Sequence, residues 1–192
     1  MIFLQIPVGQ MENFSYIIGD SETKEAAVID PGFEYKKILR EADKYKLKIT
    51  KILLTHAHFD HVTDLSAIEK ETNAEIYLHE KEPLDLKLKT HRIKDNQIIK
   101  LCSVSIKVIY TPGHTEGGVC YLTGNKLLTG DTLFVDSIGR TDLPESNPKQ
   151  MKNSLKKLSQ LPDETEIYPG HDYNGNKSTI GEQKATNPYM KP

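Results

Sequence analysis

The sequence holds little that would assign it to a specialised class. Its 192 residues carry a formal net charge of −2, from 25 Lys and Arg against 27 Asp and Glu, so the concentrated positive field that nucleic-acid phosphates attract is missing. Lys-rich stretches such as Lys36-Lys37 and Lys87-Leu88-Lys89 are interrupted by acidic neighbours and read as solvated surface. No apolar run is long enough to span a membrane. The apolar stretch from Met1 to Pro7 is far too short, reads as a first strand, and lacks the basic start and small-residue cleavage site of an export signal. The expected setting is therefore the cytoplasm. Only two cysteines occur, Cys102 and Cys120, without the C-x-x-C spacing of zinc or redox motifs, which predicts two buried thiols in a reducing compartment. No internal repeat, low-complexity tract or Pro/Ser-rich linker divides the chain. With 37% hydrophobic and 27% charged residues, the length suits a single domain over 1–192 with its own core. Oligomeric state stays open.

Short apolar runs bounded by Gly, Asp or Asn predict strands over Phe14 to Gly19, Ala26 to Asp30, Lys51 to Thr55 and Glu75 to Leu78. Helical spacing of apolar residues predicts helices over Glu34 to Tyr45 and Val62 to Glu71. From Gln97 the texture changes. Val104, Ile106 and Val108 alternate with Ser105 and Lys107, and strands follow at Val119 to Thr123 and Lys126 to Gly130, an antiparallel, half-buried pattern. A late helix starts after Asn147, with Pro148 in its first turn, and runs through Lys157 or Leu158 before Pro162 stops it. A last strand, Glu166 to Tyr168, precedes Pro169-Gly170-His171. Mixed strands with interspersed helices imply an α+β, or layered α/β, domain.

Five of the seven histidines follow predicted strands or sit in Gly-containing turns, where strand ends build sites. Three of them, His56, His58 and His61, lie in Thr55-His56-Ala57-His58-Phe59-Asp60-His61. Residues two apart in an extended loop point the same way, so His56 and His58 can offer ring nitrogens to one metal ion. A helix starting near Asp60 would turn Asp60 and His61 towards a second position. His114 follows Pro112-Gly113, a rigid turn after a strand. Asp131 follows Leu127 to Gly130, and His171 follows Ile167 to Gly170, in the same manner.

Four motifs in order, T-H-A-H-F-D-H, T-P-G-H-T, G-D-T and P-G-H, resemble the metallo-β-lactamase superfamily over nearly the whole chain. The resemblance implies an αββα sandwich, with two mixed sheets face to face, helices outside and the site along one edge. It further implies a first metal site of His56, His58 and His114, a second of Asp60, His61 and His171, and Asp131 bridging them. Asp60 and Asp131 become the catalytic carboxylates. Two divalent ions, zinc first and iron or manganese as alternatives, would share the hydroxide that attacks the substrate.

The segment from Gly130 to Pro144 looks like the short glyoxalase II-like proteins, which implies hydrolysis of a hydroxyacylglutathione-type thioester. A chain ending at Pro192 leaves no room for the added C-terminal helical region of full-length glyoxalase II. The partner expected is a small-molecule thioester or thiol-derived substrate, with neither nucleic acid nor membrane. Gly139-Arg140-Thr141-Asp142, Gly170-His171-Asp172-Tyr173 and the segment around Ser178 to Glu182 also resemble the persulfide dioxygenases, whose single iron would sit on His56, His114 and Asp131. Arg140 either binds a substrate carboxylate through its planar fork or holds its loop through Asp142. Tyr173 either reaches substrate or packs. Asp30 reads as a turn residue near the site, and His79 and His91 as surface residues. Two departures from the family pattern are Glu116, close after His114, and Cys102, where Gly is expected before a strand.

Overall fold

The computed structural model describes residues 1–83 and 88–191. Lys87 of the Lys-rich stretch and the terminal Pro192 lie outside the described residues. The first half builds a six-stranded sheet in sequential order: β1 (Ile2–Val8), β2 (Asn13–Gly19), β3 (Glu25–Ile29), β4 (Lys48–Leu53), β5 (Glu75–His79) and β6 (Thr90–Ile93). β1, β2 and β3 pair antiparallel, and β3 to β6 pair parallel. The parallel pairs need crossovers, and α1 (Tyr35–Lys44), α2 (Phe59–Val62) and α3 (Leu65–Thr72) lie in these connections.

The second sheet contains β7 (Ile98–Leu101), β8 (Val104–Tyr110), β9 (Val119–Thr123) and β10 (Lys126–Gly130). A small ribbon of β11 (Leu133–Phe134) and β12 (Ser137–Ile138) and helix α4 (Pro148–Leu158) come next. The chain then re-enters the sheet as β13 (Glu166–Pro169) and β14 (Ser178–Thr179), before α5 (Ile180–Thr186). The sheet order is β14-β13-β10-β9-β8-β7.

Three separate apolar cores make this a four-layer αββα sandwich. Ile38 and Ala42 of α1 and Leu65 and Ile68 of α3 pack on the outer face of the first sheet. Phe14, Tyr16, Ile18, Val108 and Tyr121 fill the space between the sheets. Met151 and Leu155 of α4 and Ile180 of α5 cover the second sheet. Strand periodicity distributes the side chains: in β2, Ile17 enters the helix-facing core while Tyr16 and Ile18 enter the inter-sheet core.

The expected elements recur with small changes of boundary, except that the helix expected over Val62 to Glu71 is interrupted. Asp64 N–H leaves the helical ladder to donate to Gly32 O (3.0 Å), and the Asp64 carboxylate accepts from Tyr35 N at the start of α1 (3.0 Å). Two other expectations are corrected. Cys102 is exposed rather than buried, at φ 48, the left-handed conformation that explains why Gly was expected there. His79 is buried, stacked on Tyr110 at 4.3 Å. Among the described residues no helix is long and apolar enough to cross a membrane.

Candidate metal centre

Strand direction brings the candidate residues to one edge. β8 is antiparallel to β9, β9 is antiparallel to β10, and β10 is parallel to β13. β8, β10 and β13 therefore run the same way, and the segments after them carry His114, Asp131 and His171. In the other sheet β3 and β4 are parallel and lead into Asp30 and into Thr55-His56. β2, antiparallel to β3, begins where β3 ends, which puts Asn13 there too; an isolated bridge joins Asn13 to His171 across the two sheets. Gly113 holds the His114 turn against α4. Its φ is +146°, and a Cβ there would lie 2.4 Å from Met151 Cα, so only glycine fits.

Two groups of donors converge: His56, His58 and His114, and beside them Asp60, His61 and His171, each with ligand atoms within 4.8 Å of one another. Asp131 lies between them, 3.5 Å from His114 Nε2, 3.3 Å from His61 Nε2 and 3.5 Å from His171 Nε2. All seven expected ligands are thus brought together.

The outer nitrogen of each imidazole fixes its tautomer. His114 Nδ1 faces Arg140 O (2.9 Å) and His171 Nδ1 faces Met11 O (2.8 Å), so both donate, because a carbonyl only accepts. His61 Nδ1 meets Asp30 Oδ2 (3.1 Å) and His58 Nε2 meets Glu145 Oε1 (2.8 Å), again acceptors. Thr55 Oγ1 gives its one hydrogen to Asp30 Oδ2 (2.6 Å) and so accepts from His56 Nδ1 (3.1 Å).

In the neutral form of each ring, the inward nitrogen is then the lone pair. His58 Nδ1 faces His114 Nε2 at 2.8 Å, and His61 Nε2 faces His171 Nε2 at 3.3 Å. Buried His56 Nε2 and Asp131 Oδ1 have no hydrogen-bond partner among the described residues. Facing lone pairs beside carboxylates repel unless a cation lies between them, and metal–nitrogen bonds of about 2.0–2.1 Å suit such spacings. The donor set therefore fits metal ions.

Electrostatics point the same way. Burial drives His56 and His114 below the ordinary imidazole pKa. Burial opposes charge on His61 and His171 as well, but Asp131, with Asp30 at His61 and Asp60 at His171, prevails and raises both, His171 to about 9. The same pairings outweigh burial at Asp131, which falls well below the carboxylate range, and at Asp60, held at about 2. Without a metal cation, protons would have to neutralise these carboxylates.

Arg140 is exposed and forks onto Asp142 (Nε–Oδ1 2.9 Å, Nη2–Oδ2 3.0 Å), the loop-holding alternative. Tyr173 is half exposed and stacks on His171, with centroids 4.7 Å apart and planes 11° apart. Beside His58 lies a cavity of about 360 Å³ lined in part by Glu82, Glu116 and Glu145. Sequence reading missed Asn13, whose Nδ2 donates to Asp60 Oδ2 (2.9 Å), together with Glu145 and Glu82, and it underrated Asp30. Only Asp30 left a signal, as an acidic residue immediately after a strand.

Residues 8–171 match the family model described as metallo-beta-lactamase superfamily. The chain is 31% identical over 207 residues to hydroxyacylglutathione hydrolase GloC of Haemophilus influenzae, covering 96% of both. It superposes on the crystal structure of ETHE1 from Myxococcus xanthus with a TM-score of 0.91 at 34% identity, covering 98% of this chain and 84% of that one. It superposes on TTHA1623 in a di-iron-bound form with a TM-score of 0.85 at 31% identity, covering 97% and 99%.

Proposed function

Given that the chain belongs to the metallo-beta-lactamase superfamily, we propose that it is a metal-dependent hydrolase of a small-molecule thioester, of the hydroxyacylglutathione type. The observation that carries this reading is the set of five inward imidazole nitrogens, each ring held by an outward hydrogen bond, grouped with two carboxylates into two adjoining positions. His56, His58 and His114 would hold one divalent ion and Asp60, His61 and His171 a second, with Asp131 shared. When bound, such a pair supplies hydroxide at neutral pH and stabilises charge developing on a carbonyl oxygen.

The protein's part is to place and exclude. Burial of His56, His61 and His171 keeps water from competing for the donor atoms. The exposed ring of Tyr173 and the cavity beside His58 flank the centre on two sides and leave room for an acyl group and a thiol. A thiolate is a good leaving group, so hydrolysis requires no dedicated general acid. Zinc suits a nitrogen and carboxylate donor set that needs no redox change, while iron and manganese accept the same ligands. The likeness to a di-iron-bound structure keeps iron in contention. The cytoplasm is the proposed setting, consistent with the free Cys102 and Cys120.

A second reading is a mononuclear-iron persulfide dioxygenase using His56, His114 and Asp131. The likeness to ETHE1 favours it. Metal analysis of protein purified without added metal, paired with assays of thioester hydrolysis and persulfide-dependent oxygen uptake, separates the two. Two ions with thioester turnover is the expected result; one iron with oxygen uptake would replace the first reading by the second.

A further inference from the structure

Glu82 follows β5 and is remote in sequence from every motif, yet its carboxyl is buried, with only 4% of the residue exposed. Oε1 accepts from the backbone N–H of Ala57 (2.9 Å), the residue between His56 and His58. Oε2 accepts from Thr115 Oγ1 (2.8 Å), next to His114. Gly117 packs against the same carboxylate, where a Cβ would lie 2.5 Å from Oε2, so glycine permits the approach. Arg92 anchors the Glu82 backbone through Glu82 O (2.9 Å). Burial pushes the Glu82 carboxyl up, and the donors around it oppose that shift. A buried charge is retained only where such bonds hold it.

These bonds tie together two loops from different sheets, and those loops carry all three donors of the first group. We infer that Glu82 is a positioning residue for the first metal position: it locks the His56-Ala57-His58 loop to the His114 turn, and so sets the spacing of three imidazoles that it does not touch. The inference rests on the reading of those imidazoles as ligands of one ion.

Cobalt(II) tests it. The metal-stripped native chain, Glu82→Gln, Thr115→Val and Thr115→Ser are titrated with cobalt in competition with a chromophoric chelator, recording visible absorption and melting temperature. Glu82→Gln keeps the volume but sets a donor against a donor. It is expected to weaken cobalt binding by about 10-fold or more and to alter the absorption of the bound ion. Thr115→Val is expected to shift binding the same way by a smaller factor, and Thr115→Ser, which keeps the hydroxyl, to restore native affinity. A Glu82→Gln protein that melts lower but binds cobalt with native affinity and spectrum overturns the inference, since Glu82 would then only support the fold. Should Glu82→Gln fail to fold, equal affinity in the two Thr115 variants overturns it instead. A native chain that takes up no cobalt overturns the ligand reading itself, an outcome distinct from the other two.

Discussion

At His56 one hydrogen decides what the ring can do. Thr55 has a single hydroxyl proton, committed to Asp30 Oδ2, so His56 must spend its own N–H on Thr55 and present a bare Nε2. Asp30 imposes the same order on His61. One carboxylate read from sequence as a turn residue thus sets two tautomers, one in each donor group. Asp30→Asn replaces one acceptor oxygen by an amide donor that opposes Thr55 or His61. Metal affinity is expected to fall by about 10- to 100-fold, read by chelator competition, with far-UV circular dichroism unchanged; native affinity would deny Asp30 this role. Asp60→Ala removes a ligand of the second group alone. It is expected to reduce bound metal from two ions to one and to slow thioester turnover by about 100-fold or more. Metal content and activity both unaltered would leave the second position without a function.

The elements differ in how much they depend on distant residues. The start of α4 was legible because it is written locally: Asn147 accepts from Gln150 N (3.0 Å) and Pro148 occupies the first turn. α5 has an equally local capping box, Thr179 with Glu182, and was passed over among the family motifs. The break between α2 and α3 was not legible, since it depends on Gly32 O. Likewise the seven donor residues stand out because His and Asp at strand ends are chemically distinctive. Their supports Glu82, Asp30, Asn13 and Glu145 meet partners 25 to 87 positions away, and no local pattern selects them. Two predictions belong to this scale. Gly113→Ala would push the His114 turn off α4 and is expected to cost about 2 kcal/mol or more and to weaken metal binding together; a stable, fully metallated variant would show the contact to be dispensable. Glu25 joins β3 to β4: a hydrogen bond from Lys51, then those from Thr50 and Cys102, hold its carboxyl at about 2, below the ordinary value of about 4.3. A depressed carboxyl stabilises the fold above its unfolded pKa and loses that contribution as pH falls towards the folded value. Between about pH 5 and pH 2 the native chain should therefore lose more stability than Glu25→Gln, by about 1 kcal/mol after allowance for solvent, in urea titrations at each pH.

The two six-stranded sheets are held face to face by the core between them, and each donor group draws on both. His56 and His58 come from the loop after β4 and His114 from the turn after β8. Asp60 and His61 start α2, while His171 and Asp131 follow β13 and β10. An ion in either position would therefore clamp the sheets at their shared edge. Because the unfolded chain cannot assemble donors spread from His56 to His171, ion binding should appear almost wholly as folding stability. At free zinc 1,000-fold above the dissociation constant one site adds about 4 kcal/mol, which for a chain of this size raises the melting temperature by roughly 10 °C. Calorimetry of chelator-stripped and zinc-loaded protein should show that rise. Hydrogen exchange should localise it, slowing amides at the strand ends next to Thr55, Asp131 and His171 more than those in the inter-sheet core around Ile18 and Val108. A zinc-independent melting temperature, or protection spread evenly over both sheets, would mean that the edge is already closed by the protein alone.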